Sequence, residues 1–531
     1  MIRINNLKLK LNYNDADIKN AVIRELRTNA DAIESISLYR RSIDARHKND
    51  VHYIATVNVT TNISENKVIS KCKSKNAIIT SEYRYDIPYK NDLKQRPVVV
   101  GFGPAGMFCA LILAQAGQRP IVIERGDNVD ERVLKVNALW NSAVLDTKSN
   151  VQFGEGGAGT FSDGKLNTGT KDSRSRNVLN EFVRHGAPSE ILYNAKPHIG
   201  TDKLRATVKN IREDIISLGG EVRFNTQLTA INEKDGKLIS IETTCENGTK
   251  EIIETDNVVL AIGHSARDTF SMLNNMKLFM EQKPFAVGVR IEHLRESIDR
   301  AQYGEFANNP HLGAADYKMN IKSKNGRGVY TFCMCPGGTV VAAQSEENTV
   351  VTNGMSDFAR DAVNSNCALL VNVYPDDFES TDVLAGVEYQ RKIERAAFTA
   401  GTGDYKAPVQ RVGDFLSDTN TKSFGSVIPS YKPGFSFAKT DSYLPQYITD
   451  SLREGIVAMD KKLRGFADYD AVLTGAETRS SSPVRIKRDD TLQSISLRGL
   501  YPCGEGAGYA GGIISAAVDG MRCAEQILIN A

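Results

Sequence analysis

Val98-Val99-Val100-Gly101-Phe102-Gly103-Pro104-Ala105-Gly106 opens a stretch that closes at Pro120-Ile121-Val122-Ile123-Glu124. Three β-branched residues in a row predict a buried strand, and the glycine run turns the chain at once into a helix. Along that helix Gly106, Ala110 and Ala114 recur every four positions, giving a narrow face that can lie close to a sheet. Gly117 ends it, and Ile121 to Ile123 form the next strand, so the whole reads as one βαβ unit. Val98 to Gln118 is 21 residues without a charge, about the length that spans a bilayer. Four glycines and Pro104 divide it, however, into strand, turn and helix rather than a membrane span.

GxGxxG alone is a weak signal, but here it lies between a strand and a helix, with Glu124 acidic at the end of the following strand. Gly101 permits the tight turn, Gly103 lets the backbone approach a pyrophosphate, and Gly106 lets helix and strand pack closely. With Pro104 and Ala105 these residues form the start of a helix whose free N–H groups and partial positive charge suit an anion. Glu124, followed by Arg125, is placed to accept hydrogen bonds from ribose hydroxyls.

Upstream, residues 1–92 read as a separate small unit. Ile2, Ile4, Leu7, Leu9 and Leu11 suggest a strand, and Ala16, Ile18, Ala21, Val22 and Leu26 a helix after Asn14 and Asp15. Strands around Ile36–Leu38 and Val51–Val59, a helix near Ser64–Cys72 and a last strand near Tyr83 complete a βαββαβ, ferredoxin-like order. Asn91 to Arg96 is a polar linker. Residues 1–96 hold 18 basic and 11 acidic side chains, against 48 and 53 in the remainder, so the amino-terminal part is locally basic while the whole chain is near neutral.

The whole chain has 531 residues with 41% hydrophobic and 24% charged side chains, ordinary for several folded domains and incompatible with a disordered chain. Eight cysteines without CxxC or zinc-ligand spacing predict no metal site and suit a reducing cytoplasm. The opening residues lack the apolar run of a signal peptide, so no export is predicted.

Downstream, Leu204–Leu218 reads as a helix, Glu221–Phe224 as a strand, and 227–254 as a small antiparallel meander. Val258 to Gly263 is a buried parallel-type strand. Two further glycine loops spell GxGxxG: Gly154 to Gly159, which runs into poor helix material, and Gly506 to Gly511, which enters a helix but has no strand after it. Neither is an independent dinucleotide domain. Leu500 to Glu505 returns as strand and loop.

These features resemble the two-segment FAD-binding fold of the glutathione reductase type. The runs Asn150-Val151-Gln152-Phe153-GEGGAGTFSDGKL, Ala195 to Asp202, Glu477 to Arg485 and PCGEGAGYAGGIISAAVDG are similar to a family of poorly characterised long-chain FAD-dependent dehydrogenases. The resemblance covers nearly the whole chain. It implies an α/β fold: a Rossmann-like FAD domain (97–270 and 491–531), an inserted α+β substrate domain (271–490) and the small amino-terminal unit (1–92). It also implies FAD as cofactor, with Gly504 and Glu505 near the ribityl chain or pyrophosphate; Glu505 stands where such families usually carry Asp. The helix near Gly511, Gly512 and Ile513 would point at the flavin N1/C2 edge. Gly156, Gly157, Gly159, Thr160, Ser162 and Lys165 are further cofactor candidates, as an anion nest of N–H groups and hydroxyls with a cation. Gly263 ends a strand where this fold brings backbone to the dinucleotide.

Flavin carries the electrons, so no acid or base is obligatory. Weak catalytic or substrate-binding candidates are His198, Arg290, Arg479 and Arg485, with His293, Arg411 and Tyr431 behind them. Cys333-Met334-Cys335 reads as part of a strand rather than a redox pair, and Cys503 as a small buried hydrophobe. The expected function is hydride transfer between flavin N5 and an unidentified small-molecule substrate, with NAD(P)H a candidate electron donor. Two other readings are a flavin-dependent RNA-modifying enzyme gripping nucleic acid through the basic amino-terminal unit, and a non-catalytic FAD protein relaying electrons. Oligomeric state leaves no signal in the sequence.

Overall fold

The computed structural model describes residues 1–72, 74–88 and 92–530; Asn91 of the predicted linker lies outside them. At its centre is a five-stranded parallel sheet in the order Leu500–Pro502, Val258–Leu260, Val98–Val100, Ile121–Ile123, Glu221–Arg223. Four of these strands are fully buried three-residue runs, the fifth, Glu221–Arg223, lying half-buried at the edge; apolar runs of this kind are what a parallel sheet covered on both faces requires. The pairing puts the last strand of the chain two positions from the first of the βαβ unit, with Val258–Leu260 between them.

Helix Pro104–Gln115 follows the glycine turn, with Pro104 at its first position, where a missing N–H costs nothing. Ten of its residues are buried, because the sheet, helix Thr201–Ser217 and the carboxy-terminal helix Ile513–Ile529 all pack on it. Full burial of a side chain such as Phe108 contributes roughly 1.5–3 kcal/mol. Two close approaches set this packing: a Cβ on Gly106 would stand 1.9 Å from the carbonyl oxygen of Gly101, and one on Gly520 would stand 2.0 Å from that of Ala105. The carboxy-terminal helix therefore lies directly against the first turn of the amino-terminal one.

Beyond the meander, Thr226–Lys234, Lys237–Cys245 and Lys250–Glu254, the chain leaves through Met280–Gln282 and returns through Val484–Ile486, which pair antiparallel. Between these crossings lies a seven-stranded sheet, ordered Asn320–Lys322, Gly328–Cys335, Asn364–Val373, Phe285–Leu294, Val472–Glu477, Ala407–Arg411, Phe435–Phe437. Helices Ala385–Ala400 and Gln446–Asp460 cover it and share its core.

Residues 2–79 form a four-stranded antiparallel sheet in the order Ile33–Asp44, His52–Thr61, Ile2–Leu9, Ala77–Ile79, with helices Asp15–Leu26 and Glu65–Lys71 between strands. Asn14 and Asp17 make a reciprocal capping box at the first helix. The last strand is Ala77–Ile79 rather than one near Tyr83. Ile78 and Ile79 pair with Arg3 and Ile2, and the following residues cross to the parallel-sheet domain, where Tyr85 donates to Glu525 at 2.8 Å. Among the described residues no helix is long and apolar enough to cross a membrane.

Candidate functional site

A cavity of about 490 Å³ opens at the carboxyl ends of the parallel strands, within the range of about 300–1,000 Å³ usual for ligand clefts and where such sheets bind ligands. Its floor is built by Gly101, Gly103, Pro104 and Ala105, with Glu124 and Arg125 at one end. Gly101 turns with φ +96°. The helix N-cap is Gly103, which has no side chain to cap with, so the first-turn amides of Ala105 and Gly106 have no intrahelical partner.

The three glycine segments meet here. Built Cβ positions place Gly103 3.7 Å from Gly157 Cα, Gly159 3.4 Å from Ile513, and Gly504 2.7 Å from Ala105. Gly157, Gly159, Ser162, Lys165, Gly263, Glu505, Gly511, Gly512 and Ile513 all line the cavity. Arg488 holds the closing loop in place: its guanidinium donates to both oxygens of Asp519 (2.7 and 2.9 Å) and to the carbonyl of Pro502, while Asp519 accepts from the Gly504 amide. Cys503, Asp519 and Cys523 offer ligand atoms within 4.8 Å of one another, but Arg488 engages both Asp519 oxygens, so this cluster serves the clasp. The hydrogen bond with Cys523 and burial push the Cys503 thiol well up.

Several predicted roles change. The amides of Gly156 and Gly157 donate to the carbonyls of Phe102 (2.8 Å) and Gly154 (2.9 Å). Thr160 Oγ1 donates to Glu155 O and Ser162 Oγ to Gly159 O. The predicted anion nest is thus a self-satisfied 3₁₀ turn, Gly157–Phe161, because hydroxyls in so tight a turn reach their own backbone first. Gly106, Gly156, Thr160 and Gly504 lie behind the cavity wall rather than on it. Glu124 spends its carboxylate on three backbone amides, those of Phe102, Gly126 and Gly154 at 2.8–3.0 Å, which leaves about one of four lone-pair sites for a ribose hydroxyl. Arg125 pairs with Asp268.

Of the weak catalytic candidates, Arg479 lines the cavity. It donates to Ser265, Ser345 and buried Glu394. Burial lowers its proton affinity, Glu394 opposing and neighbouring Arg267 adding to the loss. His198 stacks on Phe358 and donates through Nε2 to its carbonyl. Arg485 pairs at 3.5 Å with Glu281, both partly exposed. Buried Arg290 grips Glu477 with two hydrogen bonds (2.9 and 3.0 Å). His293 bonds the Phe466 carbonyl, Arg411 pairs with Asp414, and Tyr431 donates to Tyr405. Each of these six engages a protein partner and lies off the cavity wall, although Arg290 holds the wall residue Glu477.

Other residues on the wall escaped the sequence reading. His264, next to Gly263, places Nδ1 3.1 Å from Glu505 Oε1, and its Nε2 is buried without a partner among the described residues. Glu477 and Asn353 line the wall too, together with Cys333, which the sequence placed on a strand. Burial raises the Glu477 carboxyl above its usual range, with Arg290 opposing. Asp163 sits between Lys165 and Arg360, so the trio carries one net positive charge.

A family model for pyridine nucleotide-disulphide oxidoreductases matches residues 95–277, a model described as FAD-dependent protein, C-terminal domain-like, matches residues 284–480, and a domain of unknown function matches residues 1–60. An uncharacterized protein of Clostridium beijerinckii is 51% identical over 540 residues, covering 99% of this chain and 98% of its own. The chain belongs to a family of uncharacterised FAD-dependent dehydrogenases. It is an FAD-dependent oxidoreductase with FAD as cofactor.

Solved structures similar to this dehydrogenase include the glycerol-3-phosphate dehydrogenase of Bacillus halodurans complexed with FAD, with TM-score 0.35, 13% identity and coverage of 82% of this chain. Only 65% of that chain's length is spanned. The L-proline dehydrogenase of P. horikoshii has TM-score 0.35 and 14% identity, with 83% of this chain and 95% of that one covered.

The cavity residues fit FAD. The first-turn amide at Ala105 suits the pyrophosphate, the buried Nε2 of His264 calls for a polar partner, and Gly263 and Gly511 have open space where a side chain would stand. Helix Ile513–Ile529, whose N-cap Gly512 also lacks a capping side chain, points its positive end into the cavity, where it would favour negative charge on a bound flavin.

Proposed function

We propose that this flavoenzyme transfers a hydride between flavin and a small polar or anionic substrate held at the Lys165 end of the cavity. Support comes from one observation: the cavity is continuous from the glycine turn at Gly101 and Lys165 to a wall of Cys333, Asn353, Glu477 and Arg479 contributed by the inserted region. Bound FAD supplies a two-electron acceptor and donor at N5. Gly103, Ala105 and Glu124 would hold its ADP half, while His264, Glu505, Gly512 and Ile513 would orient the ring.

The net positive trio of Lys165, Arg360 and Asp163 would attract an anionic substrate group. Arg479, braced by Glu394, would hold a second polar group in fixed orientation. NAD(P)H is the electron donor in this reading, and the cytoplasm its compartment. The division into residues 1–92, 97–270 with 491–531, and 271–490 follows the crossing at Met280–Gln282 and Val484–Ile486, and the sheet order of residues 2–79 supports a ferredoxin-like first unit.

Anaerobic mixing of the yellow holoenzyme with NADH, NADPH and a panel of small polar metabolites tests the reading. Loss of flavin absorbance with at least one reductant is expected. A flavin that no member of the panel bleaches would instead favour an electron relay, and salt-sensitive RNA retention by the full chain would favour the RNA-modifying reading.

A further inference from the structure

Strand Gly328–Cys335 runs beside Asn364–Val373 in register until Phe332, which faces Ala368, and resumes at Cys335, which faces Asn366. One extra residue is accommodated in between, a β-bulge of the kind that re-aims side chains next to active sites. At the bulge Cys333 has φ +42°, a left-handed conformation that a non-glycine residue holds only when its surroundings enforce it, and such strain gathers at functional sites. Arg290 Nη1 enforces it by donating to the Cys333 carbonyl at 2.8 Å.

In a regular strand, Cα atoms two residues apart are separated by about 6.6 Å, near the upper limit of about 6.8 Å for a disulfide, and the side chains run parallel. The bulge changes this. Cys335 Sγ turns back to donate to the Cys333 carbonyl at 3.4 Å. Lys165 Nζ lies 3.9 Å from Cys335 Sγ, and Cys333 forms part of the cavity wall. The neighbouring Cys335, then the positive charges of Lys165 and Arg290, draw the Cys333 thiol well below its usual range despite burial. Cys335 shifts the opposite way. Two sulfurs, a cation and a strained bulge at a flavin cavity form an arrangement that a packing role does not require.

We propose that Cys333 and Cys335 form a redox-active pair that exchanges two electrons with the flavin. This inference rests on FAD occupying the cavity. In the oxidative direction the two sulfurs lose two protons and two electrons and form one S–S bond; flavin takes both electrons and one proton at N5, and the second proton leaves to solvent. The reverse step consumes reduced flavin and regenerates both thiols.

Two readouts on the full-length holoenzyme test it. In the first, protein oxidised in air or reduced by excess dithionite is denatured, alkylated and digested, and the peptide carrying both cysteines is weighed. Expected is an unalkylated peptide, lighter by two hydrogens, after oxidation and a doubly alkylated one after reduction. In the second, anaerobic dithionite titration of wild type should consume about twice the electrons per flavin taken by C335S, and by C333S, because a dithiol and a flavin are each two-electron couples. Retained yellow colour shows that the variants fold, and the wild-type peptide mass is independent of them. A yellow wild type whose two cysteines both alkylate after oxidation overturns the pair and leaves the flavin site standing. A folded chain that stays colourless with added FAD overturns both.

Discussion

His264 Nδ1 lies 3.1 Å from Glu505 Oε1, joining the end of strand Val258–Leu260 to the loop after strand Leu500–Pro502. The opposite ring nitrogen, Nε2, is buried without a partner among the described residues, although a buried polar atom normally costs about 1–3 kcal/mol unless paired. A bound cofactor would meet that need. H264A should therefore weaken FAD affinity by roughly tenfold, with E505Q milder because Gln keeps a polar oxygen near Nδ1. Fluorescence titration of the apoprotein with FAD measures both; unchanged affinity in H264A would show that His264 does not reach the cofactor.

Gly106 and Gly520 mark two close approaches, of the first helix to its own glycine turn and of the carboxy-terminal helix to that first helix. With a Cβ calculated at 1.9 Å and 2.0 Å from backbone oxygens, G106A and G520A each force backbone apart. Losses of about 1–3 kcal/mol or more are expected from such overpacking, together with reduced FAD content. Thermal melts and flavin-to-protein absorbance ratios are the checks.

Much of the FAD domain was legible because its glycines answer to geometry that little else satisfies. Gly101, Gly106 and the acid-ended strand at Glu124 declare a βαβ unit locally. The cap wall is different. Cys333, Asn353 and Glu477 come from three strands that converge through sheet pairing and two domain crossings, and no local pattern encodes that. Thr160 and Ser162 misled because a glycine-rich turn with hydroxyls looks the same in sequence whether its N–H groups are free or spent. His264 carried a faint signal, a polar residue directly after a buried parallel strand and beside Gly263. Cys333-Met334-Cys335 did lie in a strand, but the bulge within it depends on the partner strand.

Arginine substitutions should separate sharply. Arg485 and its partner Glu281 are both partly exposed at 3.5 Å, and such pairs contribute about 0–1 kcal/mol, so R485A should change flavin binding and substrate reduction kinetics little. R290M leaves the Glu477 carboxylate buried without its cation and should cost about 3–5 kcal/mol of stability, read as a fall in melting temperature. R479K keeps the charge but loses the fork that engages Glu394, Ser265 and Ser345; KM for an identified substrate should rise more than kcat falls.

Acid stability carries the imprint of His198. Burial, then the positive charge of Arg360, lowers its pKa from 6.5 to about 4. Between those values the unfolded chain binds a proton there that the folded chain does not, so stability is fully present above pH 6.5 and declines as pH falls toward 4. A contribution of the order of 1–3 kcal/mol is expected. Denaturant melts across this window should show a shallower pH slope for H198Q than for wild type; equal slopes would remove His198 from the account.

Cofactor stoichiometry tests the meeting of the two glycine segments most directly. Wild-type chain purified in the presence of FAD should carry about one flavin per polypeptide, and G157V and G512V, one on each segment, should each lose it while staying folded by circular dichroism. A properly folded wild type that remains colourless and takes up no FAD, or two variants that keep full flavin content, would contradict a cofactor enclosed between Gly101–Gly159 and Gly504–Ile513.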